Sequence, residues 1–424
     1  MQSPQSNWSN PYGGNVLLRG LGAIPSTKEI SAAHTVLPDV PPRDAIKSMP
    51  PHLRRHFMET AVRGFRVCTS TDMRVHTTLD LAIRQSLADR DPALPKTWSA
   101  LVGESTEQKI PRRPLSNGPA SVSEGISGTG KSVAHDLTLR CFPQLVSHES
   151  FPGVDGEFQQ LVWTSIEVPS EGTSLAFAKE LIHDYERVTG DRERFSRIRE
   201  LKKPSGIQVL DEWLQVARSR FLGVLHVDEV QNLFKLAPLR TRTRSDDRQE
   251  LSIVEDKLLL WIQKVVNLGQ LAVAVSGTHD GVSALFSRFS TAQKLTTAGY
   301  HEFGTFRSVN DPMCKLFFKE LSKYQYFAEP MAIDATVQDR LLELTGGVLR
   351  LIITLWRMSH RRAFERLELE ENPRDVLELN DFEVAAQSAP QAVRHAVAAL
   401  RSGDTAALAR YEDMARTGHQ WGDQ

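Results

Sequence analysis

The segment Gly125-Ile126-Ser127-Gly128-Thr129-Gly130-Lys131-Ser132 restricts this chain more than any other feature. It spells GxxxxGKS, in which glycines let successive backbone N–H groups turn inward as an anion nest, a lysine follows, and a hydroxyl closes the run. Such a loop is built between the end of a strand and the start of a helix, whose N-terminal dipole adds to the field on the same anion. The segment therefore predicts a strand over residues 120–124 (ASVSE), a helix opening near Lys131 and continuing through Val133, and with them an α/β fold. Lys131 then reaches the β- and γ-phosphates of a nucleotide, and Ser132 ligates Mg²⁺. A Gly/Ser linker ahead of a helix is the other reading, and ASVSE is less apolar than a central parallel strand ordinarily is.

A second motif decides between them. Residues 222–229 read LGVLHVDE, an apolar strand whose tip carries Asp228 and Glu229, about a hundred residues after the loop. A carboxylate at the carboxyl end of a neighbouring parallel strand is placed to hold a nucleotide-bound Mg²⁺, and a glutamate beside it suits activation of the attacking water. Taken alone, Asp-Glu would also serve to end a strand and cap a helix. His226 reads as a packed neutral histidine. The adjacent glutamate implies the branch of phosphate-loop ATPases in which a further strand separates the two motif strands. LAVAV at 271–275 fills that place, ending in Ser276-Gly277-Thr278, with Thr278 the preferred sensor of the γ-phosphate and Ser276 the second choice. No NKxD run selects guanine, so the nucleotide is read as ATP.

Around these motifs, apolar runs alternate with helical periods, as βαβ units around a parallel sheet require. A strand over 161–168, helices over 174–188 and 207–221, a long helix over 251–268 stopped by Gly269, and a fifth strand over 300–306 complete the core. Helices over 313–327, 334–344 and 348–363 then form an all-helical module, and a pair over 392–400 and 405–415 follows. The first hundred residues are broken by NPYGG, LPDVPPRD, SMPP and DRDPALPK, with helices expected over 52–66 and 78–88. The expected layout is an N-terminal extension with short helices (1–105), a nucleotide-binding α/β domain (106–309), a helical lid (310–370) and a helical tail (371–424).

Two arginines bear on the same chemistry. Arg288 lies about ten residues beyond the sensor strand, where ring-forming ATPases project an arginine toward a neighbour's γ-phosphate. Arg350, in TGGVLR at the opening of a helix, is placed to fold over the phosphates in cis. Together they imply a nucleotide between subunits, and hence homo-oligomerisation. Arg240, Arg242 and Arg244 alternate in LRTRTRSDDRQE, where they would track a DNA backbone without reading sequence, or belong to a solvated insertion balanced by Asp246, Asp247 and Glu250.

The order GISGTGKS, HVDEVQNL, AVSGTHD, SRF and TGGVLR resembles an AAA+ ATPase of the initiator-related branch, and DEVQNL is similar to the TnsC/TniB regulators of transposition. NPYGGNVLLRGLG near the start and residues 401–413 resemble the TnsC type. The resemblance implies an AAA+ parallel-sheet core with a C-terminal helical lid, using ATP and Mg²⁺ and assembling on duplex DNA as a ring or helical filament. It further implies that the assembly links a target-selection protein to a transposase and is reset by hydrolysis. Glu229, Lys131, Thr278 and Arg288 would be catalytic; Gly125 to Val133 and Arg350 would hold the nucleotide; Ser132 and Asp228 would hold the metal. A helicase loader, a replication initiator, or a scaffold that hydrolyses poorly shares most of these features.

Composition sets outer limits. The chain has 424 residues, 40% hydrophobic and 24% charged, with a formal net charge of −1, so the whole molecule is no electrostatic binder of nucleic acid. Cys68, Cys141 and Cys314 are too few and scattered for a disulfide framework or a zinc site. With no signal pattern and no long apolar run, the expectation is a cytoplasmic protein without a membrane partner. No carboxylate triad suggests that the chain is itself a transposase.

Overall fold

The computed structural model describes residues 11–102, 118–236, 251–253, 256–286 and 289–404. The chain divides into two compact units, one of residues 1–25, 74–124 and 132–302, the other of residues 26–73, 125–131 and 303–424. Arg288, Arg240, Arg242, Arg244 and the helix expected over 405–415 lie outside the described residues. No helix among the described residues is long and apolar enough to cross a membrane.

The first unit is built on a five-stranded sheet of β1 (Ala120–Gly125), β2 (Trp163–Glu167), β3 (Val224–Asp228), β4 (Ala272–Gly277) and β5 (Gly299–Phe303). Their spatial order is β2-β3-β4-β1-β5, with β2 on β3, β3 on β4 and β4 on β1 all parallel. The chain is thus an α/β protein with a largely parallel sheet, in which β4, the LAVAV strand, is inserted between the two motif strands. Every residue of β3 and β4 is buried, which explains their near-continuous apolar composition. Strand β1 is buried as well despite its serines, and Ser123 Oγ lies 3.3 Å from His135 Nε2. A serine is accepted in this interior because it has a polar partner there.

Helices cover the sheet with apolar stripes. Ser174–Thr189 opens where the Ala176 N–H donates to Thr173 Oγ1 and closes at Gly190 in the left-handed conformation. Phe177, Leu181, Trp213 and Trp261 carry the helical side of a core completed by Val122, Leu225, Val227, Val273 and Val275. Each such large side chain contributes about 1.5–3 kcal/mol on burial. The helix expected over 251–268 begins only at Asp256, and Leu251–Ile253 pairs antiparallel with Phe234–Leu236. Burial follows a helical period from Leu258 through Leu259, Ile262, Val265 and Val266, and the three residues at the start of the expected helix are taken by the strand pairing instead.

Part of the N-terminal region completes this unit. Arg84 pairs with Asp80 at 2.7 Å and donates to the carbonyls of Gly22 and Ala23. Ser86 and Arg90 donate to the carbonyls of Gly223 and Leu222, the residues that lead into β3.

The second unit is helical. Residues 26–73 belong to it together with the helices Pro312–Leu321, Ala335–Thr345, Leu349–Leu369, Leu379–Gln387 and Gln391–Ser402. Its core holds Phe318, Phe327, Trp356, Phe364 and Phe382. Helix Pro51–Gly64 is tied to this core by Glu59, which accepts from Arg357 and Arg361, and by Arg54, which forms both hydrogen bonds to Asp375 at 2.8 and 2.7 Å. Arg54 is nearly buried and also donates to the Met49 and Lys47 carbonyls. Arg54→Met should therefore cost roughly 1–3 kcal/mol, since it removes the donor of the Met49 and Lys47 carbonyls and the charged partner of Asp375, which keeps only the Ala328 N–H among the described residues. Denaturant unfolding should show the loss, and an unchanged midpoint would remove this pair from the account of the unit.

Candidate functional site

The phosphate loop leaves β1 at Gly125 and ends in the helix Lys131–Arg140. Thr129 Oγ1 donates to the Ile126 carbonyl at 2.9 Å, which tightens the loop. Lys131 is buried, and its ammonium donates to the carbonyls of Gly125 at 2.6 Å and Ile126 at 3.0 Å. The loop thus holds its own cation against two of its own carbonyls.

Within the same unit the loop meets Arg350. The Arg350 N–H donates to the Gly128 carbonyl at 3.1 Å, so helix Leu349–Leu369 begins on the loop, with the Arg350 side chain exposed. Gly128 has φ +89°, and a Cβ there would come within 2.9 Å of Arg350 Cβ and 3.3 Å of Val348 Cγ1. The glycine is needed both for its backbone conformation and for this close approach. Arg66 also lies here, its guanidinium 3.6 Å from where a Gly130 Cβ would sit, and paired with Asp72 at 2.8 Å. Sequence reasoning missed Arg66, because nothing in GFRVC marks it as neighbour to a loop more than sixty residues away.

In the first unit, Asp228 ends β3 and is buried. It accepts from the Ser276 hydroxyl and from the Glu229 N–H at 2.9 Å, and it is hydrogen-bonded to Ser132, the last residue of the phosphate-loop motif. Burial pushes its carboxyl upward, but the hydroxyls of Ser132 and Ser276 that donate to it hold it below its ordinary value. Asp228 is therefore an ionised oxygen donor with a hydroxyl beside it, a donor pair that suits Mg²⁺, which takes few protein ligands and completes its shell from phosphate and water. No group of three or more His, Cys, Asp or Glu side chains among the described residues forms a metal cage.

Glu229 has φ 56° and ψ 42°, in the left-handed region, one of two non-glycine residues with positive φ among those described. That conformation costs about 1–3 kcal/mol and persists only where neighbours enforce it. Gln231 does so by donating to the Glu229 carboxylate while its Oε1 accepts from the Thr278 N–H at 3.2 Å. Asn232 donates to the Val168 carbonyl at 2.8 Å, anchoring the turn to the segment after β2. Of the two polar residues at the tip of β4, Ser276 is the one bonded to Asp228, whereas the Thr278 hydroxyl donates to Asp280. His226 is buried and neutral, its protonation disfavoured first by burial and then by His135, which stacks on it at 4.3 Å. Gln231 and Asn232 were visible as the QN after DEV, but only the fold shows that they hold the glutamate.

Gly281 lets the turn after β3 pack on helix His279–Leu285, since a Cβ there would lie 2.6 Å from Gln231 Cβ and 2.7 Å from its Cα. Gly281→Ala should displace Gln231 and destabilise this corner by roughly 1–3 kcal/mol. Hydrogen exchange at residues 229–233 should rise selectively, and unchanged protection would refute this packing requirement.

No protein-family model matches the chain, and no curated protein matches it. Among solved structures, similarity is found to the Orc1 protein of Aeropyrum pernix in complex with DNA, at 15% identity and TM-score 0.39, over 81% of this chain and 78% of that one. Cdc6p of Pyrobaculum aerophilum is similar at 16% identity and TM-score 0.38, over 68% and 70%. Likenesses this distant carry no functional assignment.

Proposed function

We propose that this protein is an AAA+ ATPase that assembles on duplex DNA with ATP, links a target-selection protein to a transposase, and disassembles on hydrolysis. The ATPase part is supported above all by the hydrogen bond between Ser132 and Asp228, which joins the phosphate-loop motif to the acid of the second motif. The DNA and transposition parts rest on the resemblance of DEVQNL and the neighbouring motifs to TnsC-type chains.

The roles follow from the chemistry of each group. The N–H groups of residues 125–131 and the Lys131 ammonium bind phosphate, the lysine exchanging its two carbonyl acceptors for phosphate oxygens. Ser132 and Asp228 hold the metal, and Mg²⁺ when bound supplies neutralisation of the phosphate charge. Glu229, already held by Gln231, accepts the proton of the attacking water. Ser276 fixes Asp228, and Thr278 reads the γ-phosphate. Arg350 closes over the phosphates from the same chain, and Arg288 of a neighbouring copy completes the site. Arg240, Arg242 and Arg244 contact the DNA backbone.

Lys131→Ala should abolish nucleotide binding and ATP-dependent DNA loading together; normal loading would remove the nucleotide gate. Glu229→Gln should bind ATP and load DNA normally while phosphate release falls roughly 10²–10⁴-fold. If neither wild type nor this variant releases phosphate while DNA binding still needs ATP, the protein is a scaffold gated by ATP. Imaging with duplex DNA and a nonhydrolysable ATP analogue should show rings or filaments, and discrete monomers would overturn the assembly.

A further inference from the structure

We propose that His226 is a positioning residue for the metal-binding carboxylate, acting through Ser276 to fix the direction in which Asp228 presents its oxygens. The proposal rests on the ATPase reading above and deepens it. Position 226 is the middle of a strand whose residues are all buried, where an aliphatic side chain would pack without polar cost. The imidazole there has a partner for each nitrogen, with Ser165 Oγ 2.8 Å from Nδ1 and Ser276 Oγ 2.9 Å from Nε2.

Proton counting gives this chain a direction. An ionised Asp228 can only accept, so the Ser276 hydroxyl, bonded to it, spends its single hydrogen there. Ser276 Oγ must then accept from His226, which places the imidazole proton on Nε2 and leaves Nδ1 to accept from Ser165. The sequence of donors is Ser165 to His226 to Ser276 to Asp228, and it crosses β2, β3 and β4 in turn. Reversing any member would leave a buried acceptor facing another acceptor, so one tautomer of His226 and one rotamer of Ser276 are selected.

Neighbours hold the ring in place. Ser165 and His226 are register partners on β2 and β3, and Ser276 and Ser123 are register partners on β4 and β1. His135, on the helix that carries Ser132, stacks on His226 with 4.3 Å between centroids and 4° between planes, and its Nε2 faces Ser123 Oγ. The polar row therefore spans four strands and meets the phosphate-loop helix at His135. Groups that orient a metal ligand from behind commonly affect metal affinity or activity by 10–100-fold when removed.

The test compares His226→Leu, which keeps the bulk and loses both hydrogen bonds, with His226→Gln, which retains an N–H toward Ser276. Nucleotide affinity measured in EDTA should be unchanged in both. The Mg²⁺ concentration that half-saturates nucleotide binding and turnover should rise roughly 10–100-fold in His226→Leu, with kcat reduced and KM for ATP at saturating Mg²⁺ little altered, and His226→Gln should recover part of the loss. Nitrogen-15 spectra of the histidines in the nucleotide-free wild type should show His226 protonated at Nε2, and Ser276→Ala should erase that preference. Should His226→Leu fail to fold, Ser165→Ala, which removes only the outermost hydroxyl, should raise the Mg²⁺ requirement several-fold. A wild-type Mg²⁺ requirement in a folded variant, in a protein that does turn over ATP, overturns the positioning role and leaves the ATPase reading standing. A wild type that neither binds nor hydrolyses nucleotide overturns the ATPase reading, and the role of His226 with it, even where the Nε2 signature is present.

Discussion

A carboxylate buried at the end of a central parallel strand stays ionised only if its oxygens are met by hydrogen-bond donors, and Asp228 is met from three directions. Its own successor supplies a backbone N–H, β4 supplies Ser276, and the helix after the phosphate loop supplies Ser132. Each donor depends on a different part of the chain being folded. The strand order that sets β4 against β3 and the helix that presents Ser132 are therefore tied to a single charged group. This makes the first unit's polar centre as demanding a determinant of the fold as its apolar core.

The same constraint accounts for what could and could not be read from residue order. Glycines at fixed spacing and an acidic strand tip are local signals, so the phosphate loop, Asp228 and Glu229 were legible, and the intervening LAVAV strand followed from the Asp-Glu pair. Ser123 of ASVSE looks out of place in a buried strand because its partner is a histidine on a helix. Once His135 faces Ser123, that strand ceases to be anomalous. The approach of Arg66 to the phosphate loop and the bond from Ser276 to Asp228 are not legible in residue order because they join distant stretches of the chain. The helix expected from residue 251 starts at Asp256 because Leu251–Ile253 pairs as a strand with Phe234–Leu236, a pairing that helical spacing of apolar residues does not report.

The N-terminal region carries a similar lesson. Its breaker residues suggested an arm, and short helices were expected in it. Within the first unit, however, Ser86 and Arg90 are spent on the carbonyls of Gly223 and Leu222, immediately ahead of the strand that carries Asp228. The Leu222 carbonyl takes its donor from Arg90, and the Gly223 carbonyl, which also accepts from the Ala272 N–H of β4, gains a second donor in Ser86, so this segment does part of the work of placing β3.

The left-handed backbone at Glu229 carries a consequence for how this sequence can drift. Glycine would adopt that conformation without penalty, so a population of variants chosen only for resistance to heat should collect glycine at position 229. Under the ATPase reading proposed above, variants chosen for turnover should keep the glutamate and the extra free energy it carries. The residue at this one turn therefore reports which of the two pressures a lineage has been under.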